Sequence, residues 1–348
     1  MADNLPAGGR SFSQALRRFM ELESAGGIAL LFATGLALAW ANSPWQAGYH
    51  AFWEGGARAV VNDGLMVAFF FVVGLEIKRE LVVGELRDPR AVGLPVLAAV
   101  GGMVVPAAIY GGFNAGGPGS AGWGIPMATD IAFALGVASL LGDRIPSPLK
   151  LFLLTLAIAD DIGAILVIAV FYSGGPSWSW LTLAGVALGL LTPARPSHPG
   201  RASPAERLEG RLHPWTSFGV VPVFALANAG VTLGAGALGD ALSSPVGLGI
   251  VAGLVGGKTL GVTAGAWVAV RLRLGRLPED VTWPQLVPVA TLAGIGFTVS
   301  LFVAGLAFDD PAPRETATLA VLVASALAAL AGAAGAAAVS RGGRGSCR

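Results

Sequence analysis

Two adjacent carboxylates, Asp160 and Asp161, sit in the apolar run LTLAIADDIGAI, and a third, Asp130, sits in GIPMATDIAFALG. A single ammonium group, Lys258, lies in the equally apolar stretch around GGKTLGV. Carboxylates can take up and release protons, and their oxygens also coordinate small hard cations. In a water-poor setting two neighbouring carboxylates cannot both ionise cheaply, so each needs a proton, a metal cation or an opposite charge. Successive residues of an α-helix point about 100° apart. One of the pair can therefore meet Lys258 on a facing helix while the other lines a water-filled path. A site that holds either H+ or a small cation has the chemistry for exchanging one for the other. A purely architectural Asp–Lys pair accounts for one aspartate and leaves its neighbour unexplained.

Composition places these side chains in lipid. The 348 residues are 54% apolar and only 12% charged, about half the charged share of an average soluble domain. The 51 glycines suit membrane helices, where small residues let backbones approach closely. Cys347 is the only cysteine, so no intrachain disulfide is possible. The net charge of +1 points to no charged partner; membrane lipid is expected around the chain, and no nucleic acid.

A bilayer core takes about 20 mostly apolar residues per helix. Ten stretches qualify: 25–41, 59–77, 92–112, 122–141, 149–172, 178–193, 214–237, 246–270, 285–307 and 316–339. The expected fold is an all-α polytopic membrane protein. A segment 1–24 precedes a transmembrane domain at 25–340, and a tail at 341–348 follows it. Of the 22 Lys and Arg residues, 19 fall in alternate loops and the termini, Arg58 and Arg314 fall in the others, and Lys258 is mid-span. That asymmetry predicts cytoplasmic termini on both sides of an even number of spans in a bacterial inner membrane. Arg10, Arg17 and Arg18 with Ala39-Trp40-Ala41 resemble a signal peptide, but Glu21 and Glu23 stand where such peptides are basic. Span one is therefore read as retained.

A charge at the bilayer centre costs at least about 2.5–3.5 kcal/mol, so it should face a partner or water. Lys258 is about 18 Å from either end of its span at 1.5 Å per residue, too far for its stem to snorkel. It needs a carboxylate or a cavity. Asp63 lies nearer the outer end of span two. Pro126 removes a backbone donor and disfavours helical angles at Ile125, so span four should break there. Gly294 and Gly296, flanking Ile295, weaken span nine in the same way. Two interrupted helices in corresponding places point to a transporter site between inverted repeats, here about 92–172 and 246–340. The competing reading is an ordinary proline kink with glycine packing notches. With half-helix ends carrying partial charge, Asp130 would offset positive ends and Lys258 negative ones.

At these residues the sequence resembles the bacterial NhaA sodium/proton antiporters. The likeness is carried by NDGLMVAFFFVVGLEIKREL, GIPMATDIAFALGV, LTLAIADDIGAILVIAVFY, RLEGRLHPW, GKTLGV and GIGFTVSLFVAGLAF, in family order from about residue 21 to 308. The resemblance implies unwound helices crossing near the bilayer midplane, with Thr129 and Asp130 at the crossing. Asp161 is then the principal Na+ carboxylate, with Asp160 beside it and paired to Lys258 in one state. It also implies a pH-sensing cluster of Glu76, Arg79, Glu80, Glu209 and His213, and a homodimer through about 42–58. Histidine changes charge near neutral pH, although acids and bases at a helix end also form ordinary solvated rims. No cofactor or enzymatic activity is expected.

The chain departs from that family in length. Members have twelve spans, whereas here FYSGGPSWSW runs straight into LTLAGVALGL, so two helices are missing after the double-aspartate helix. Trp180 and Gly210 stand where the family often has histidine. A non-transporting paralogue is the alternative function. An intramembrane aspartyl protease would need GxGD and PAL motifs, which do not occur near these aspartates, and Lys258 would spoil its dyad. A channel would need a repeated filter loop, and none is found.

Overall fold

A computed structural model describes residues 25–84, 87, 89–172, 179–195, 202–234, 236–278 and 281–345. The segment 1–24, Arg201, Cys347 and the junction 173–178 lie outside the described residues. All regular structure among the described residues is helical. Helix α1 (Ala25–Ala41) is followed at 115° by α2 (Gln46–Ala57). Next come α3 (Val60–Val82) and α4 (Pro89–Asn114). A 3-10 segment (Ser120–Met127) leads through an extended step into α5 (Ile131–Leu140), and α6 (Ser147–Phe171) follows. After α7 (Ser179–Leu191), α8 (Pro204–Trp215) continues through a π-helical turn into α9 (Val221–Asn228). The last part comprises α10 (Ala237–Ser243), α11 (Pro245–Arg271), α12 (Trp283–Leu292), α13 (Phe297–Ala307) and α14 (Pro311–Gly345).

Six described helices are long and apolar enough to cross a bilayer, or eight if each bent pair counts as one span. This is fewer than the ten stretches read from the sequence, although each of those has a helical counterpart. Helix α7 has 13 residues, about 20 Å at 1.5 Å per residue and short of a bilayer core. Helix α9 has 8 residues and adds length only through α8, whose PAERLEGRLHPW is polar. Ser203 starts α8 with a reciprocal cap: its hydroxyl accepts from the Glu206 N–H, and Glu206 accepts from the Ser203 N–H.

Two triplets share one plan: a long helix, a broken helix and a long helix. The first is α4, the Ser120–Leu140 break and α6; the second is α11, α12 with α13, and α14. The long helices α4 and α11 pack with their backbones in contact. Gly253, Gly257, Gly261 and Gly265 recur at every fourth position of α11, and a Cβ on any of them would crowd Pro106, Gly101 or Leu97 of α4. With no hydrophobic effect between helices in lipid, such close packing is a main source of association.

The breaks satisfy each other. Ala128 and Asp130 are extended, freeing backbone groups that a hydrocarbon environment cannot solvate. The Asp130 N–H donates to the Ile295 carbonyl (2.6 Å), and the Thr129 hydroxyl donates to the Ala293 carbonyl (2.8 Å). Ser300 donates to the Ile125 carbonyl (2.7 Å). Farther out on the first break, Tyr172 donates to the Ala121 carbonyl (2.7 Å) and accepts from the Gly124 N–H (3.1 Å). The break thus spans Ala128–Asp130, just after Pro126, and in the second triplet it spans 293–296.

Close packing at α4–α11 predicts a contrast between two glycines of one helix. Gly261→Ala pushes a methyl group toward the Gly101 carbonyl, whereas Gly256→Ala meets open space. Overpacking of this kind costs about 1–3 kcal/mol. Thermal unfolding in detergent should show a lowered midpoint for Gly261→Ala and an unchanged one for Gly256→Ala.

Candidate ion-binding site

Asp130 sits where two half-helices begin. Its Oδ1 accepts from the Phe133 N–H (3.0 Å) and so caps α5. Its Oδ2 accepts from the N–H (3.1 Å) and the hydroxyl (2.7 Å) of Thr298 at the start of α13. Each helix start carries about half a positive charge, so one buried carboxylate faces both. Thr298 was not singled out from the sequence, although a threonine in the first turn after Gly296 is a recognisable helix-start signal.

Lys258 has no exposed surface, and its stem passes over Gly102. It follows the π-helical turn Ala252–Gly257, an irregularity common at functional positions. Its Nζ donates to Asp160 Oδ2 (2.5 Å) and to the Thr129 hydroxyl (3.0 Å). One cation is therefore tied both to the double-aspartate helix and to the crossing. Asp160 Oδ1 is buried without a hydrogen-bond partner among the described residues.

Asp161 points elsewhere. It is 8% exposed and lines a cavity of about 60 Å3 together with Thr129, Asp130 and Thr298. The same cavity is bounded by Glu76, Arg79 and His213, and by Thr216 and Ser217 of the π-helical turn after α8. Neither Thr216 nor Ser217 was anticipated. At its mouth Arg79 pairs with Glu209 (2.6 Å) and Glu80 (2.9 Å), and His213 Nδ1 lies 3.0 Å from Glu76 Oε1. All five residues of the expected sensor cluster thus lie together and continue inward to Asp161. Glu209 lies outside the spans, and burial pushes its carboxyl up to about 7, with Arg79 pulling the other way.

Pro126 lies within the 3-10 segment, and Gly294 and Gly296 occupy the second break. A Cβ on Gly294 or Gly296 would press on Leu254 of α11, and one on Gly296 also on Ala128, so both glycines permit the close crossing as well as weakening the helix. Asp63 is on the opposite side of the bundle and lines a second cavity.

Crossed broken helices, buried carboxylates and a funnel ending on them define a polytopic membrane protein of the secondary-transporter kind. The sequence matches the family described as Na+/H+ antiporter 1 over residues 17–184 and 180–335, and the chain belongs to that family. It is 46% identical to the Na(+)/H(+) antiporter NhaA of Acidovorax sp. (strain JS42), covering 90% of this chain and 89% of that protein. It is 44% identical to the NhaA of Shewanella sp. (strain W3-18-1), covering 90% and 94%. It is 42% identical to NhaA 2 of Sorangium cellulosum (strain So ce56), covering 90% and 87%.

These matches also locate the shortening. The Acidovorax alignment runs over 372 positions yet draws on 90% of 348 residues, about 313, which leaves about 59 positions without a counterpart here. Two helices of about 20 residues with their connections fill that length. The two family blocks meet at 180–184, at the start of α7.

Removing one partner of a buried ion pair costs about 3–5 kcal/mol, because the other charge is stranded. Lys258→Ala should therefore lower the unfolding midpoint sharply. The double variant Lys258→Met with Asp160→Asn should recover most of that loss. If both variants melt alike, the pair does not stabilise the fold.

Proposed function

We propose that the chain exchanges Na+ (or Li+) for protons across a bacterial inner membrane by alternating access. The observation that carries this reading is the division of labour between neighbours: Asp160 is neutralised by Lys258, while Asp161 opens onto the cavity. The printed names of the relatives, all Na(+)/H(+) antiporters, support it. The cavity opens at the end carrying Arg79 and His213, which the basic-loop pattern assigns to the cytoplasm, with both termini on that side. The described state is then inward-facing.

Sodium entering the funnel meets Asp161 and displaces its proton. The free Asp160 Oδ1 and the Thr129 hydroxyl offer further oxygens within the same neighbourhood. Asp160 can turn to the cation only as Lys258 gives up its proton to the funnel water, since the buried ammonium would otherwise be left unpaired. Asp130 stays between its two helix starts and holds the crossing together through the cycle. Outward exposure then lets protons displace sodium. Both triplets are intact in the shortened chain, which favours turnover over the non-transporting alternative. A homodimer through 42–58 belongs to this reading, supported by the exposed Trp45 and Phe52 there.

In liposomes, a sodium pulse should move the lumenal pH of vesicles holding the full chain and leave empty vesicles unchanged. Asp161→Asn should abolish the response at every pH. Retained turnover in that variant would remove Asp161 from the site, and a silent parent chain would favour the paralogue reading.

The cluster at the funnel mouth is proposed as the pH sensor. Glu209 has a folded value of about 7 against an ordinary 4.5. Between those values the folded protein keeps a proton that the unfolded chain has lost, so this group's contribution to stability falls as pH rises through the window. Glu209→Gln should flatten the melting temperature between pH 5 and 7 and broaden the activation profile near 7. His213→Ala should move the activation pH only; an unshifted profile would take it out of the sensor.

A further inference from the structure

A second cavity, of about 390 Å3, enters the bundle from the end opposite the funnel and is bounded by His50, Asn62, Asp63 and Asn228 among others. Three helices run from one cavity to the other. On α3, Asn62 and Asp63 line the outer cavity and Phe69 and Val73 the inner one; on α9, Val221 is inner and Asn228 outer; on α13, Val299 is inner and Leu301 already outer. Where the two linings approach each other, one phenylalanine of each helix joins a common cluster: Phe70, next to the inner-lining Phe69, with Phe224 and Phe302. All three are buried, at 3%, 1% and 6% exposure, so together they close the space between the cavities. Phe302 is the central ring, its centroid 5.2 Å from Phe70 and 6.4 Å from Phe224, and it alone of the three borders the outer cavity. Along α9 the two linings are about 10 Å apart, from Val221 to Asn228, but along α13 only about 3 Å, from Val299 to Leu301, so the ring cluster is a thin layer.

We propose that Phe302, wedged between Phe70 and Phe224, is the outer gate of the exchanger, with the reciprocal amide pair Asn62–Asn228 as its latch. An apolar constriction excludes water and hydrated ions without any charge of its own. The latch lies on the outer side of the rings and ties α3 to α9 through Asn228 Nδ2 donating to Asn62 Oδ1 (2.7 Å) and Asn62 Nδ2 donating to Asn228 Oδ1 (3.1 Å). What makes Phe302 a gate rather than a fixed plug is its place on α13. It lies one turn beyond Thr298, whose N–H and hydroxyl both hold Asp130. A shift of that half-helix when the site changes its ion therefore moves the ring directly. The inference rests on the alternating-access reading above and assigns it a moving part.

The test separates the gate from transport. In the full chain with Cys347→Ser, Val73→Cys reports on the inner side of the barrier, and a charged, membrane-impermeant methanethiosulfonate is applied to the outer face of right-side-out vesicles. Phe302→Ala should raise the outer-side labelling rate at least tenfold over the parent, with inner-side labelling in everted vesicles changed less than twofold. Phe302→Leu, which trims the ring gently enough to spare the fold, should give a smaller rise of the same sign. Asn62→Ala with Asn228→Ala, which leaves the rings intact, should also raise the outer rate. Outer-side rates unchanged in both Phe302 variants, with monodisperse protein, would overturn the gate. A silent sodium response together with the expected labelling changes would instead sink the exchanger reading and leave the barrier standing.

Discussion

A carboxylate shared between two helix beginnings is the interaction on which the rest of this structure depends. Asp130 accepts from α5 on one oxygen and from α13 on the other. Without it, two sets of positively polarised N–H groups would face each other across an apolar core with nothing between them. The extended step at 128–130 and the turn at 293–296 supply the remaining backbone bonds, so each break is tolerable only because the other is present. Everything in the site is registered to that crossing. Thr129 reaches Lys258 from it, Lys258 reaches Asp160, and Asp161 is placed in the funnel because its neighbour is already engaged.

The shortened chain shows which parts of the family architecture are independent of the missing helices. The junction falls at the start of α7, outside both triplets and outside the funnel lining. Helix α7 packs directly on α3, where Gly185 and Gly189 approach Val67 and Phe71, and Gly74 of α3 approaches Val186. That seam needs only small residues and close backbones. Loss of about 59 positions therefore leaves the crossing, the buried pair and the charged cluster at the funnel mouth in place.

Much of the architecture was legible in the sequence, because the relevant physics is local. Apolar length marks helices, loop charge marks sides, and a charged residue inside an apolar run must find a partner. That Lys258 meets one of the two adjacent aspartates, and that the helices break near Pro126 and Gly294, follow from such reasoning, whereas the choice of Asp160 as its partner is implied only by the family resemblance. Span number was less legible: α7 and α9 are too short to pass by length alone, and composition does not reveal that α8 continues into α9. The hydroxyls of Thr298, Thr216 and Ser217 were also hidden. Threonine and serine occur throughout apolar helices as neutral packing residues, and only the fold shows which ones border a cavity. The Phe70–Phe224–Phe302 cluster was invisible for a stronger reason. Each ring is an ordinary apolar residue of its own helix, and its meaning arises from three segments far apart in the chain reaching one level.

The backbone contact between α4 and α11 limits how this molecule can deform. Where Gly261 lies on Gly101, and Gly265 on Leu97, there is no layer of side chains to slip or change rotamer. Sliding of one packed element over another needs such a layer. The two triplets are thus riveted at their centre and must travel as one block. Shear is left to the contacts made through side chains, where α3 and α9 meet α6 and α13, and those contacts are the walls of the ion's route.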